Sequence, residues 1–255
     1  MNLLIRNARI LTLAPSAGSG PAVHERPRRG RFLADLGVIP AGEVLITGGK
    51  IAAVGSKVEA PADAEIIEAQ GRVLMPGFVD CHTHACWAGD RLDEWEQRLR
   101  GVPYLEILKA GGGIHATVRA VRAATKKQLA AHLKERLAAM IREGTTTVEI
   151  KSGYGLQTEE ELKMLRAIVR AGNEWPGTIV PTALLGHAFE GNLEEYARMV
   201  VKEMLPAVAK EFPGITVDAF CEDGAWTLEA CVRFFEKAAK HHPLRVHTDQ
   251  FTSLG

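Results

Sequence analysis

The chain has 255 residues, 46% of them apolar and 24% charged, which is the makeup of a globular protein with a full core. Its 31 Lys and Arg balance 31 Asp and Glu, so there is no electrostatic case for a nucleic-acid partner or an anionic membrane surface. No apolar run approaches the roughly 18 residues that cross a bilayer. The four cysteines, Cys81, Cys86, Cys221 and Cys231, form no Cys-x-x-Cys pair, which points to free, mostly buried thiols in a reducing cytoplasm.

Residues 1–10 are too often broken by polar side chains to be a signal peptide, and residues 3–13 alternate as a strand does. Residues 43–47 and 51–55 flank Gly48-Gly49-Lys50, a hairpin signature, so residues 1–73 are expected to form part of a small β-sandwich domain. Residues 14–41, rich in Pro, Gly, Ser and Arg, read as a loop-like insertion. The basic cluster within residues 26–31 lacks interleaved aromatics and reads as a solvated loop rather than a nucleic-acid patch.

From residue 74 onward strands alternate with helices. Leu129, Leu133, Leu137, Met140 and Ile141 recur at helical spacing before Gly144, and the β-branched run 145–151 follows as a strand. Thr158 with Glu161 has the spacing of a capping box, opening a helix that carries Leu162, Leu165, Ile168 and Val169. Strands are expected at 178–185, 215–221 and 244–247, with helices at 193–212 and 227–240. With the strand ending at His82 there are five, and the alternation predicts a parallel sheet, either doubly wound or a (β/α)8 barrel. Gly111-Gly112-Gly113 lacks the setting of a dinucleotide fingerprint and reads as a loop feeding a helix near Thr117.

In a barrel, functional groups stand at the carboxyl ends of the strands. Here those ends carry His82 and His84, then residues 151–154, then His187, then Glu222 and Asp223, then His247, Asp249 and Gln250. His82 and His84 follow an apolar run and, two residues apart, face the same way. Alone the pair is half a site and equally a surface turn. With His247 it gives three imidazoles able to converge on one zinc or ferrous ion, leaving positions open for water. Such an ion acidifies water and polarises a carbonyl, which suits hydrolysis of an amide-like bond. His187 could stabilise an oxyanion or shuttle a proton. Arg91 could clamp a carboxylate, although its spacing alone favours an ion pair with Asp93 or Glu94. Tyr154, between Gly153 and Gly155, could lie over a pocket or be a plain loop aromatic. Carboxylated Lys151 could bridge two metals, but no second ligand set is visible.

The run Pro76-Gly77-Phe78-Val79-Asp80-Cys81-His82-Thr83-His84 resembles the first-strand metal motif of the amidohydrolase superfamily. Residues 98–107, Ala110-Gly111-Gly112-Gly113-Ile114, Glu149-Ile150-Lys151-Ser152-Gly153-Tyr154-Gly155-Leu156, Phe220-Cys221-Glu222 and His247-Thr248-Asp249-Gln250 narrow the resemblance to the imidazolonepropionase family within it. The resemblance implies an α/β fold: an incomplete metal-dependent (β/α)8 barrel over residues 74–255, with the N-terminal part of the small β-sandwich before it. It implies hydrolysis of the cyclic amide of 4-imidazolone-5-propanoate to N-formimidoyl-L-glutamate, in histidine breakdown. One divalent ion, zinc or iron, would sit on His82, His84 and His247. Arg91, Tyr154, His187 and Gln250 would contact the substrate, with Arg91 on its propanoate and His187 and Gln250 in catalytic positions. The resemblance further suggests a homodimer. One departure stands out: the family's fourth metal ligand, an aspartate near the last strand, and a histidine on the sixth strand have no counterpart here. This predicts a truncated chain, inactive by itself. The alternatives are another cyclic amidase or aminohydrolase of the superfamily, or a non-catalytic scaffold; a neutral nucleobase would offer Arg91 no carboxylate.

Overall fold

A ten-residue strand, β1 (Asn2–Leu11), organises the first part of the chain. In the computed structural model, which describes residues 1–14, 29–103, 106–107, 110–250 and 252–253, β1 pairs antiparallel with β2 (Val38–Thr47), and β2 with β3 (Lys50–Gly55). Strands β4 (Glu65–Glu68) and β5 (Val73–Leu74) run parallel to β1 along its other side. The β2–β3 link is Gly48-Gly49, both at positive φ (59° and 78°), the conformation that a two-residue turn needs to match strand twist. Ala8, Ile10 and Val44 form this unit's small buried cluster. Half of the expected insertion, residues 15–28, lies outside the described residues, including Arg26 and Arg28 of the basic cluster. Its end is not loop, however: a 3-10 turn spans Gly30–Ala34, and β2 already begins at Val38, because Ile39 and Val38 pair with Ile10 and Leu11.

The chain divides into two compact units, Met1–Gly77 and Phe78–Gly255. The second is built on five parallel strands in the order β10-β9-β8-β7-β6. They are β6 (Phe78–Asp80), β7 (Thr145–Lys151), β8 (Thr178–Gly186), β9 (Thr216–Phe220) and β10 (Leu244–His247). Between β6 and β7 lie α1 (Leu92–Leu99), α2 (Ile114–Ala123) and α3 (Lys126–Arg142); α4 (Thr158–Asn173) follows β7. After β8, α5 (Leu193–Met199) passes through a π-helical turn, Val200–Met204, into α6 (Leu205–Glu211), and α7 (Leu228–Ala238) precedes β10. Leu129, Leu133 and Leu137 of α3, Leu165 and Ile168 of α4 and Phe234 of α7 are all fully buried in one cluster with Val148 and Ile150 of β7 and Val217 of β9. Each such side chain contributes about 1.5–3 kcal/mol relative to exposure. The result is an incomplete (β/α)8 barrel.

Three local expectations change. Helix α2 starts at Ile114, behind Gly113 at φ 65°, rather than near Thr117. The helix expected over 193–212 is interrupted by the π turn. Thr158 and Glu161 make no capping box: the N-cap of α4 is Gln157, Thr158 donates its hydroxyl to Glu203, and Glu161 turns its carboxylate to the preceding loop. The true capping box is at Thr125 and Gln128, where the Thr125 hydroxyl accepts from the Gln128 N–H (3.2 Å) and the Gln128 side chain accepts from the Thr125 N–H (2.9 Å).

Candidate metal centre

Past β6, Thr83 is pinned to β7. Its hydroxyl donates to the Glu149 carbonyl (2.6 Å) and its carbonyl accepts from the Lys151 N–H (3.1 Å). The residues on either side, His82 and His84, are therefore presented together away from β7. The curl of the sheet brings the end of the opposite edge strand to meet them. Arg245 of β10 donates to the Cys81 carbonyl (2.7 Å), and His247, the last residue of β10, puts its Nε2 3.2 Å from Nε2 of His84. One ligand atom from each of His82, His84 and His247 lies within 4.8 Å of the others.

This trio fits a metal ion in spacing and in protonation. Two nitrogens about 2.0–2.1 Å from a tetrahedral ion stand roughly 3.3–3.4 Å apart, and the His84–His247 separation is 3.2 Å. Burial, together with the neighbouring His247 and Lys151, lowers the His82 pKa; burial and the facing His187 push His84 down to about 3. Both rings are thus neutral at pH 7. His247 Nδ1 lies 3.2 Å from Oδ1 of Asp218, and a carboxylate only accepts, so Nδ1 carries a proton and Nε2 is the nitrogen turned towards the trio.

Asp218 belongs to a buried network that the sequence reading missed. Lys151 Nζ donates to Oδ2 of Asp218 (2.7 Å) and to Oε1 of Glu149 (2.9 Å). Glu149 also accepts from the Thr182 hydroxyl (2.5 Å) and pairs with Arg245 (3.0 Å). Burial works to raise the Asp218 pKa, but hydrogen bonds from His247 and Lys151 outweigh it and hold the carboxyl below its usual range. A usable signal was present: Asp218 is a charge in the middle of a buried strand, and Glu149 and Lys151 are two charges at i and i+2 on another. The same geometry disposes of a carboxylated Lys151, which would bring a third negative charge against two buried carboxylates.

His187, just past β8, has Nδ1 2.9 Å from the Gly153 carbonyl, and burial pushes its pKa down to about 4. The carbonyl requires a proton on Nδ1, so the neutral ring offers a bare Nε2. It can take a proton or accept a hydrogen bond, but cannot donate to an oxyanion without first being protonated. Its ring is 5.0 Å from that of His84 and 5.0 Å from that of Tyr154. Arg91 makes the ion pair its spacing favoured, with Nε 2.7 Å from Glu94. It nonetheless shares with His84 and Tyr154 the wall of a cavity of roughly 850 Å³, completed by Trp87, Trp95 and Met140 among others. Arg136, also missed from sequence, stacks 3.5 Å from the centre of the Trp87 ring and donates to the Ala85 and Trp87 carbonyls, fixing the chain beyond His84. Gln250 is exposed and lies outside that wall; its N–H donates to the buried Glu222 carboxylate (3.0 Å).

The profile of the amidohydrolase family matches residues 65–251. The chain belongs to that family. It is 44% identical to the imidazolonepropionase of Herpetosiphon aurantiacus, covering 91% of this chain and 57% of that protein, and 42% identical to the imidazolonepropionase of Hahella chejuensis, covering 98% and 60%. The chain thus spans less than two thirds of the length of the curated relatives it matches. Among solved structures, the 5-methylcytosine deaminase of Klebsiella pneumoniae liganded with 5-fluorocytosine aligns with a TM-score of 0.62 at 17% identity, over 97% of this chain and 51% of that one. The N-isopropylammelide isopropylaminohydrolase of Burkholderia multivorans aligns with a TM-score of 0.58 at 22% identity, over 97% and 53%. These two likenesses show the fold. Among the described residues, no helix is long and apolar enough to cross a membrane, and Cys81, Cys86, Cys221 and Cys231 are free thiols, all buried but Cys81.

Proposed function

We propose that this protein hydrolyses the ring amide of 4-imidazolone-5-propanoate, giving N-formimidoyl-L-glutamate. The observation that carries the proposal is the His82–His84–His247 trio beside a cavity whose wall contains both Arg91 and Tyr154. A zinc or ferrous ion held by the three imidazoles supplies Lewis acidity, which acidifies water and polarises a carbonyl. Water adds across the ring C–N bond: its hydroxyl goes to the carbonyl carbon, and its proton ends on the released nitrogen.

The chain's own groups do the rest. Arg91 binds the propanoate carboxylate at its guanidinium edge, with Glu94 steadying Nε from the other side. Tyr154 directs its phenol at the ring, and the bare Nε2 of His187 accepts a proton or hydrogen bond from it. Trp87 and Trp95 give that cavity an apolar stretch of wall. The free thiols suit a cytoplasmic location.

The test is to follow loss of imidazolone absorbance by the full-length protein, alongside metal analysis. Turnover with one divalent ion per chain is expected. Arg91→Ala should raise KM for the natural substrate while leaving metal content unchanged. Turnover of a neutral cyclic amide, with none of the propanoate-bearing substrate, would replace this reading by that of another aminohydrolase.

A further inference from the structure

Between β7 and α4 the chain takes a conformation that does not hold itself. Gly153 lies at φ 111°, and Leu156, a buried leucine, lies at φ 54° in the left-handed region that non-glycine residues seldom occupy. At Gly155 an added Cβ would come within 2.6 Å of the backbone of Glu160 and Glu161. Three N–H groups in this loop point at one buried side chain. Glu161, on the first turn of α4 and 1% exposed, accepts from Gly153 N–H through Oε2 (2.8 Å) and from Gly155 and Leu156 N–H through Oε1 (2.7 and 2.9 Å). Tyr154 therefore sits between two anchored residues. The carbonyl of the first, Gly153, is the acceptor for His187 Nδ1.

A second group holds the same loop by its carbonyls. Arg122 of α2 donates through Nε to the Gly155 carbonyl (2.8 Å). Its two remaining nitrogens form a bidentate pair with Glu190 (2.9 and 2.8 Å), three residues past His187. Glu161 grips the loop's N–H groups, and Arg122 ties its carbonyl to the segment that carries His187. The bonds of Glu161 do not serve its own helix, since they go to residues that precede the Gln157 N-cap. Burial raises the pKa of Glu161, and the N–H groups of Leu156, Gly153 and Gly155 work against that rise.

We propose that Glu161 and Arg122 are positioning residues that set the placement of Tyr154 and His187 towards the substrate. This rests on the reading above, in which those two rings face the substrate. Because neither Glu161 nor Arg122 touches the histidine trio, their effect is separable from metal binding.

The experiment compares Glu161→Gln, Arg122→Gln, Tyr154→Phe, His187→Asn and the Glu161→Gln/Tyr154→Phe double variant in the full-length protein. It reads kcat and KM, metal content and amide hydrogen exchange over residues 152–156. Glu161→Gln keeps the shape of the side chain but leaves it one acceptor oxygen, so kcat/KM should fall roughly tenfold or more, with metal content unchanged and faster exchange in the loop. The double variant should lose less than the product of the single losses, since both changes act through one ring. Arg122→Gln should give the same pattern to a smaller degree, and it stands in should Glu161→Gln not fold. The proposal is overturned by kcat/KM within about twofold of the parent in the folded variants, or by losses that simply multiply in the double variant. Silent Tyr154→Phe and His187→Asn variants would remove the substrate reading and this inference with it. An impaired Tyr154→Phe beside a silent Glu161→Gln removes the inference alone.

Discussion

The edge strands and the central strands of the five-stranded sheet divide the work of the site unequally. In β6 and β10, Phe78, Val79, Leu244 and Val246 are exposed, yet these strands lead to or end in all three histidines. In β7 and β9, Val148, Ile150, Val217 and Ala219 are fully buried, and the charges among them, Glu149, Lys151 and Asp218, support the trio from beneath. The difference teaches that the groups offered to a metal come from the less covered strands, while their orientation is set in the covered ones.

If the buried charges carry that burden, breaking them should cost the most. Lys151→Met would leave the buried carboxylates of Glu149 and Asp218 side by side without the ammonium that joins them, with an expected loss of about 3–5 kcal/mol in denaturant unfolding. A loss below about 1 kcal/mol would show that the network is dispensable. Ile150→Ala, in the same strand, should cost about 2–5 kcal/mol through the cavity it opens. Asp218→Asn is the sharper probe of orientation. It should weaken zinc binding roughly 10–100-fold in a chelator competition, because the charge that fixes the His247 tautomer is gone. An unchanged affinity would place control of that ring elsewhere. The smallest effect belongs to the edge: Val246→Thr, at a side chain 50% exposed, should shift stability by no more than about 0.5 kcal/mol. A larger cost would mean that β10 is covered in solution, and the contrast between edge and centre would fail.

Much of this organisation was legible without coordinates, for reasons that can be named. A helix buries one stripe and a strand one face, so Leu129, Leu133 and Leu137 announced α3, and the runs around Thr145 and Thr178 announced β7 and β8. The Thr158–Glu161 spacing misled because a capping box and a carboxylate that captures a preceding loop share the same local pattern. Which N–H groups the carboxylate meets depends on where the loop folds back. Arg91 shows the converse, since its pairing with Glu94 is a neighbour effect on one stretch of chain and spacing sufficed.

By itself the sequence determined the pair His82 and His84, because i and i+2 of an extended segment share a face whatever surrounds them, and it determined the succession of strand ends that carry polar groups. Only the tertiary structure decided that His247 closes on that pair, that Asp218 selects its tautomer and that Glu161 holds the loop of Tyr154. Those choices join residues of different strands and loops through the curl of the sheet, and a buried carboxylate takes as partners whichever donors that curl brings within reach.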